Sequence, residues 1–191
     1  MNTIVEFLCQ RTSSPRLTEP APSADLMAQV FQCAFRAPDH KMLHPWRYLV
    51  IEGEARDRLG EVFVEAARRQ EAEADGTLPD AKTDKLRAMP LRAPMLIVAI
   101  ASPEDHPKVP HQEQILSCGV GAGYMLVALQ ALGFGGVWRT GDMAQDAYVK
   151  ERLGLTQAES IVGFLYVGTP LGEPRIPDPL SLSEYVAYWQ G

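Results

Sequence analysis

Apolar residues recur at helical spacing over residues 3–9, 23–35, 54–74, 79–88, 112–132 and 144–153, and short apolar runs of strand length fall at 47–52, 95–101, 134–138 and 161–167. Strands and helices therefore alternate along the chain, which predicts an α/β or α+β architecture. Proline-rich breaks at Pro90/Pro94, at Pro103/Pro107/Pro110 and at Pro170/Pro174/Pro177/Pro179 separate the elements. The second helix carries the clearest signal. Ser23 is an N-cap residue, and Leu26, Met27, Val30, Phe31 and Ala34 form one stripe that faces a core. Pro38 and Pro45 bracket the loop that follows. Each pushes its preceding residue, Ala37 or His44, towards extended backbone, so the helix stops and the next run leaves as a strand.

The helix at 112–132 is apolar nearly all round, as a helix covered on several sides would be. Gly119, Gly121 and Gly123 each cost it about 1 kcal/mol relative to alanine, and close approach of another backbone is the usual compensation. A central packing helix or a dimer-interface helix satisfies that requirement, and Gly121→Leu is expected to break such a dimer. The segment Ile115 to Leu132 contains Ser117, Gln130 and three glycines and lacks flanking basic clusters, which favours a helix buried in protein over one that spans a membrane. Gly-Val-Gly-Ala-Gly lacks the spacing and the preceding strand of a dinucleotide fingerprint. The C-terminal segment beyond Pro170 is rich in Pro and Gly but ends in Tyr185, Tyr188 and Trp189. Aromatics of that size are costly to leave in water, so the segment is expected to lie across the body of the protein or across a partner subunit.

A chain of 191 residues with 46% hydrophobic residues suits one core, so residues 1–191 are expected to form a single domain. The net charge of −6 argues against a nucleic-acid partner, because phosphate binding needs clustered Lys and Arg. Cys9, Cys33 and Cys118 are odd in number, widely spaced and set among apolar neighbours. They read as buried reduced thiols, and hence as a cytoplasmic chain. Glu6 and Gln10 interrupt Ile4, Val5, Phe7 and Leu8, so the N-terminus does not read as a signal peptide. Motifs for zinc hydrolysis, serine hydrolysis, nucleotide triphosphate chemistry and dithiol exchange are missing. His106 and His111, beside three prolines, read as surface residues and not as metal ligands.

The loop between Pro38 and Pro45 gathers Asp39, His40, Lys41 and His44: a carboxylate, a cation and two imidazoles. A loop that only turns the chain more often holds Gly, Ser and Asn. Arg36-Ala-Pro-Asp-His-Lys41, with Pro45-Trp46, resembles the Ala-Pro-Ser-x-x-Asn-x-Gln-Pro-Trp segment of the FMN-dependent nitroreductase family, in the form of its small bacterial NAD(P)H nitroreductase subfamily. Other phrases agree in order along the chain: Arg11-Thr12, Val109-Pro110 with Glu113-Gln114, Gly133-Phe-Gly-Gly-Val-Trp-Arg139 and Ile161-Val-Gly-Phe-Leu-Tyr-Val-Gly-Thr-Pro170.

The resemblance implies an α+β fold, an α/β sandwich with a central, mostly antiparallel sheet flanked by helices. It implies a homodimer with two FMN sites at the interface, each drawing on both subunits. It also implies hydride transfer from NADH or NADPH onto FMN, then to a nitroaromatic, quinone or similar small-molecule electron acceptor, by a ping-pong scheme. The flavin carries that chemistry, so no catalytic side chain is assigned. By the same resemblance Arg11 and Thr12 meet the flavin phosphate. Gln10 stands where an Arg is usual and brings no charge, which leaves Arg139 or Arg175 to supply it. Pro38, Asp39, His40 and Lys41 would meet the ring or ribityl chain, with Lys41 near the pyrimidine edge, while His44 replaces a usual Gln. Gly136, Val137, Trp138 and Arg139 would lie against the isoalloxazine, where glycines let the backbone come close. Two alternatives stay open from the residues alone: Arg11 and Arg16 as solvated surface, and Trp138 as a core residue. Two others stay open for function: a specialised flavin enzyme acting on a particular metabolite, and a protein that stores or senses FMN without turnover.

Overall fold

The computed structural model describes residues 3–173 and 175–191; Pro174, one of the C-terminal breaks, lies outside them. The architecture is α+β. Its sheet is built from β2 (Trp46–Glu52), β3 (Met95–Ala101), β5 (Ser160–Pro170) and β4 (Gly135–Arg139), in that spatial order, and the short β1 (Leu17–Thr18) pairs with the end of β5. Every pairing is antiparallel. All seven residues of β3 are buried. Its sequence, Met-Leu-Ile-Val-Ala-Ile-Ala, offers no polar face because helices cover both sides.

Strand periodicity sorts that run into two cores. Leu96, Val98 and Ile100 face α3 (Ala55–Glu73), where they meet Leu59, Phe63, Val64 and Ala67. Met95, Ile97, Ala99 and Ala101 face the other way, onto Met27, Val30 and Ala34 of α2 (Ala24–Ala34) and onto Cys118, Ala122, Met125 and Leu129 of α5 (His111–Ala131). Ser23 caps α2 by accepting the Leu26 N–H at 3.4 Å. The helices α1 (Thr3–Cys9) and α4 (Asp80–Ala88) lie where the periodicity predicts them. The run at 144–153 is not one helix. It divides into α6 (Asp142–Gln145) and α7 (Ala147–Arg152), because the Asp146 carboxylate accepts the Val149 N–H at 2.9 Å and caps the second helix.

The glycines of α5 have different neighbours. A Cβ on Gly121 would lie 2.8 Å from the Tyr48 hydroxyl and 3.2 Å from the Ala34 carbonyl. Gly121 therefore admits α2 and β2 of its own chain, and the expectation that it sits at a dimer interface is corrected. A Cβ on Gly119 would touch Trp138 at 3.7 Å, whereas one on Gly123 would meet nothing within 4 Å. The open side of α5 near Gly123 carries Leu116, Val120 and Tyr124, all exposed. Their i, i+4, i+8 spacing makes one apolar stripe. Helix α1 buries none of its residues and exposes Ile4, Val5 and Leu8. The C-terminal segment, with its single short helix α8 (Leu182–Tyr185), leaves Tyr188 86% and Trp189 90% exposed. Among the described residues, then, the aromatics do not settle on the chain's own body.

The cysteine expectation also needs correction. Cys118 is buried, and burial pushes its thiol up to about 12, but Cys9 and Cys33 are exposed. Both sit in apolar sequence, yet Cys33 lies off the Met27–Val30–Ala34 stripe and Cys9 ends a helix that buries nothing.

One ion pair anchors the start of β2 to the turn before β5. Arg47 donates from Nε to Glu159 Oε1 at 2.6 Å and from a terminal nitrogen to Glu159 Oε2 at 2.9 Å, and the Thr156 N–H also reaches Glu159 at 2.9 Å. The guanidinium overcomes the opposing effect of burial and holds the Glu159 carboxyl down at about 2. A depressed folded-state value contributes stability above the unfolded value near 4.5 and loses it as pH falls towards 2. Arg47→Met leaves a buried carboxylate unpaired, so it is expected to cost about 3 kcal/mol at neutral pH. Urea denaturation across pH is expected to find the gap between wild type and variant closing below about pH 4.5.

Candidate functional site

The N-terminal segment after α1 is clamped across one end of the sheet. The Ser14 N–H donates to the Gly136 carbonyl at 3.0 Å on the outer edge of β4, and the Leu171 N–H donates to the Arg16 carbonyl at 3.0 Å beyond the end of β5. Two adjoining cavities result. One, of about 380 Å³, is lined by Thr12, Ser13, Arg16, Gly172 and Arg175 among others. The second, of about 190 Å³, shares Thr12, Ser14 and Pro170 with it and runs along Leu126, Gln130, Gly135 and Gly136. One end thus offers two guanidinium side chains and several hydroxyls, and the other a glycine-lined slot.

The two glycines let Ser14 and Leu126 pack directly against β4. A Cβ on Gly135 would lie 2.7 Å from Ser14, and one on Gly136 would lie 2.6 Å from Leu126. Because the Gly136 carbonyl points outward to Ser14, the alternation of an antiparallel ladder turns the backbone N–H groups of Gly136 and Trp138 outward too, while those of Gly135 and Val137 face β5. The Trp138 side chain is committed to the core. Its indole donates to the Val162 carbonyl at 3.2 Å, and it packs so closely over Gly163 that a Cβ there would overlap the indole nitrogen. Val137 packs in the core on the α3 side.

The predicted cations are divided. Arg175 and Arg16 line the larger cavity, whereas Arg11, half-buried, does not, although it immediately precedes Thr12. Arg139 lies elsewhere, with its guanidinium 5.8 Å from the Tyr166 ring and its Nε buried without a hydrogen bond among the described residues. Burial raises the Tyr166 phenol against the opposing influence of Arg92 and Arg139. Of the two candidates for the charge missing at Gln10, Arg175 therefore stands at the cavity. From the sequence Arg16 groups with Arg11 and Thr12 as a donor, with solvated surface left open for both arginines, and Gln130 is not singled out as a site residue. Its only signal was a polar side chain in an otherwise apolar stretch of α5.

The Pro38 loop is not part of this cavity. His40 Nδ1 sits 2.9 Å from Glu113 Oε2, near the start of α5, whereas Leu126 and Gln130 line the cavity at its far end. Seventeen residues of helix separate Glu113 from Gln130, or about 25 Å at 1.5 Å per residue. Within one chain the two halves of the predicted constellation therefore stay apart. The loop itself is unusual. Lys41, Met42 and His44 all have positive φ, at 69°, 55° and 50°, and strain of that kind costs about 1–3 kcal/mol per residue and collects at binding sites. The Asp39 carboxylate accepts the His44 N–H at 2.7 Å. It staples the loop. Lys41 and Met42 are exposed at the tip.

A family model described as the nitroreductase family matches residues 9–169. Over 185 residues the chain is 40% identical to "Putative NAD(P)H nitroreductase YdjA" of Escherichia coli (strain K12), covering 95% of this chain and 98% of the relative. Among solved structures, a nitroreductase-like family protein from Bacillus cereus superposes with a TM-score of 0.82 at 24% identity, over 100% of this chain and 98% of that one. A point variant of the FMN and NADPH-dependent nitroreductase NfnB from sphigopyxis sp. strain HMH superposes with a TM-score of 0.72 at 20% identity, over 98% of both chains.

Proposed function

The chain belongs to the nitroreductase family, and on that premise we propose that it is an FMN-dependent oxidoreductase that takes reducing equivalents from NADH or NADPH and delivers them to a nitroaromatic, quinone or similar small acceptor. The observation that carries this reading is the pair of adjoining cavities, which join two guanidinium groups to a glycine-lined strand edge. Arg16, Arg175 and the Ser13 hydroxyl suit a phosphate monoester. The slot beside Gly135 and Gly136 suits one edge of a flat ring, with the outward N–H groups of Gly136 and Trp138 as donors to ring heteroatoms. Bound there, FMN would supply the two-electron chemistry. This chain's residues would bind it, orient it and leave one face open, so that donor and acceptor take turns.

The active form is a two-fold dimer. An isologous contact along the Leu116–Val120–Tyr124 stripe sets two copies of α5 antiparallel, and each Pro38 loop then approaches the cavity of the other protomer. Lys41 would reach the ring from that side, where its charge stabilises anionic character that develops on reduction. The exposed Tyr185, Tyr188 and Trp189 would find cover on the partner.

Purified protein is expected to carry a yellow chromophore with the mass of FMN and to oxidise NADH or NADPH when a quinone or nitroaromatic is added. Protein that neither retains nor takes up FMN contradicts the reading. Protein that binds FMN but does not turn over supports a storage or sensing role in its place.

A further inference from the structure

Gln130 stands near the end of α5, and its carboxamide holds the turn by which the chain leaves α1. Oε1 accepts the Thr12 N–H at 3.2 Å, and Nε2 donates to the Gln10 carbonyl at 3.5 Å. Thr12 passes the constraint on, since its hydroxyl donates to the Arg175 carbonyl at 3.0 Å. One side chain on a rigid helix therefore ties together the N-terminal segment that carries Arg16 and the C-terminal strap that carries Arg175, the two guanidinium residues of the larger cavity.

We infer that Gln130 is a positioning residue that sets the preference of the site for a phosphorylated flavin over the unphosphorylated one. This rests on the FMN reading above. The cause is geometric. A pair of guanidinium groups rewards a phosphate only when both are held at the separation it requires, and each charge-assisted contact weakens steeply with misplacement. Gln130 and Thr12 also line the ring slot, but its remaining walls are held independently: Gly135 and Gly136 by pairing with β5, and Leu126 by packing in the core. Loosening the Thr12 turn should thus weaken the phosphate end more than the ring end. Neither Gln130 atom needs to touch the ligand for this to hold.

The test titrates FMN and riboflavin separately into flavin-free wild type, Gln130→Met and Gln130→Asn, following flavin fluorescence, with circular dichroism to confirm folding. Methionine keeps the length and loses both hydrogen bonds. Asparagine keeps the amide but is one methylene too short to reach either partner, and as a polar, smaller side chain it serves if the methionine variant does not fold. Both variants are expected to bind FMN about ten-fold more weakly and riboflavin about two- to three-fold more weakly, so the FMN-to-riboflavin preference falls by about three- to five-fold. A parallel loss for both flavins would mark Gln130 as merely structural and overturn the inference, as would an unchanged preference in folded variants. Wild type that binds neither flavin overturns the functional reading itself, and this assignment with it. Wild type that binds FMN while the variants keep its preference overturns this assignment alone.

Discussion

Gly121→Leu is expected to destabilise the protein by about 3 kcal/mol, which lowers the melting temperature by about 6–12 °C for a domain of this size. The space that the new side chain would enter belongs to the Tyr48 hydroxyl and to the last carbonyl of α2. Tyr48 cannot simply step aside, because its ring packs against both Phe31 and Phe35, at centroid distances of 5.6 and 6.3 Å. Burial already raises its phenol well above the ordinary value, and its hydroxyl makes no hydrogen bond among the described residues. Gly123→Ala is the companion variant. Within its own chain nothing lies within 4 Å of that Cβ position, so the helix of a single protomer is expected to gain up to about 1 kcal/mol from the better helix former. Differential scanning calorimetry of the pair separates the two glycines. Equal melting temperatures would contradict the packing described for Gly121.

The second large effect concerns the cavity. Arg16→Ala combined with Arg175→Ala removes both guanidinium groups from its lining. At about 1.5–3 kcal/mol for each charge-assisted contact, FMN affinity is expected to fall by about two to four orders of magnitude, while riboflavin binding changes little. Arg11→Ala is expected to do less, because Arg11 does not line the cavity. Isothermal titration of the two variants with FMN checks the order. A larger loss for Arg11→Ala than for the double variant would return the phosphate to the N-terminal Arg-Thr phrase, where family resemblance alone put it.

The choice among these arginines marks where sequence reasoning reached its limit. The elements were legible because their signals are local. Met95 to Ala101 is too apolar for anything but a central strand, and Ser23 opens α2 at the predicted place. The break at Asp146 was not, since a capping carboxylate within a helical period leaves the apolar spacing intact. The site was legible by segment but not by side chain. Its phrases are present in order, yet which arginine faces the cavity depends on how the Thr12–Arg16 turn is clamped between β4 and the end of β5. Arg139 follows Trp138 along a strand, and its side chain therefore leaves on the opposite face, towards Tyr166. Gln130 was hidden for the opposite reason. A single amide in the apolar stretch beyond Ser117 carries no motif, and only the fold brings Gln10 and Thr12 to it.

The separation of the Pro38 loop from the cavity along α5 makes the shared site the claim most exposed to refutation. The direct measurement is subunit complementation. One variant carries Arg16→Ala and Arg175→Ala and keeps its Pro38 loop; the other carries Lys41→Glu with Pro38→Gly and keeps its cavity. Each alone is expected to hold little FMN. Mixed, dissociated and reassembled, the heterodimer is expected to recover one FMN per dimer, because one of its two sites combines an intact cavity with an intact loop. Heterodimer verified by mass that recovers no flavin, or a wild-type monomer that binds FMN fully by itself, would contradict a site built from two chains.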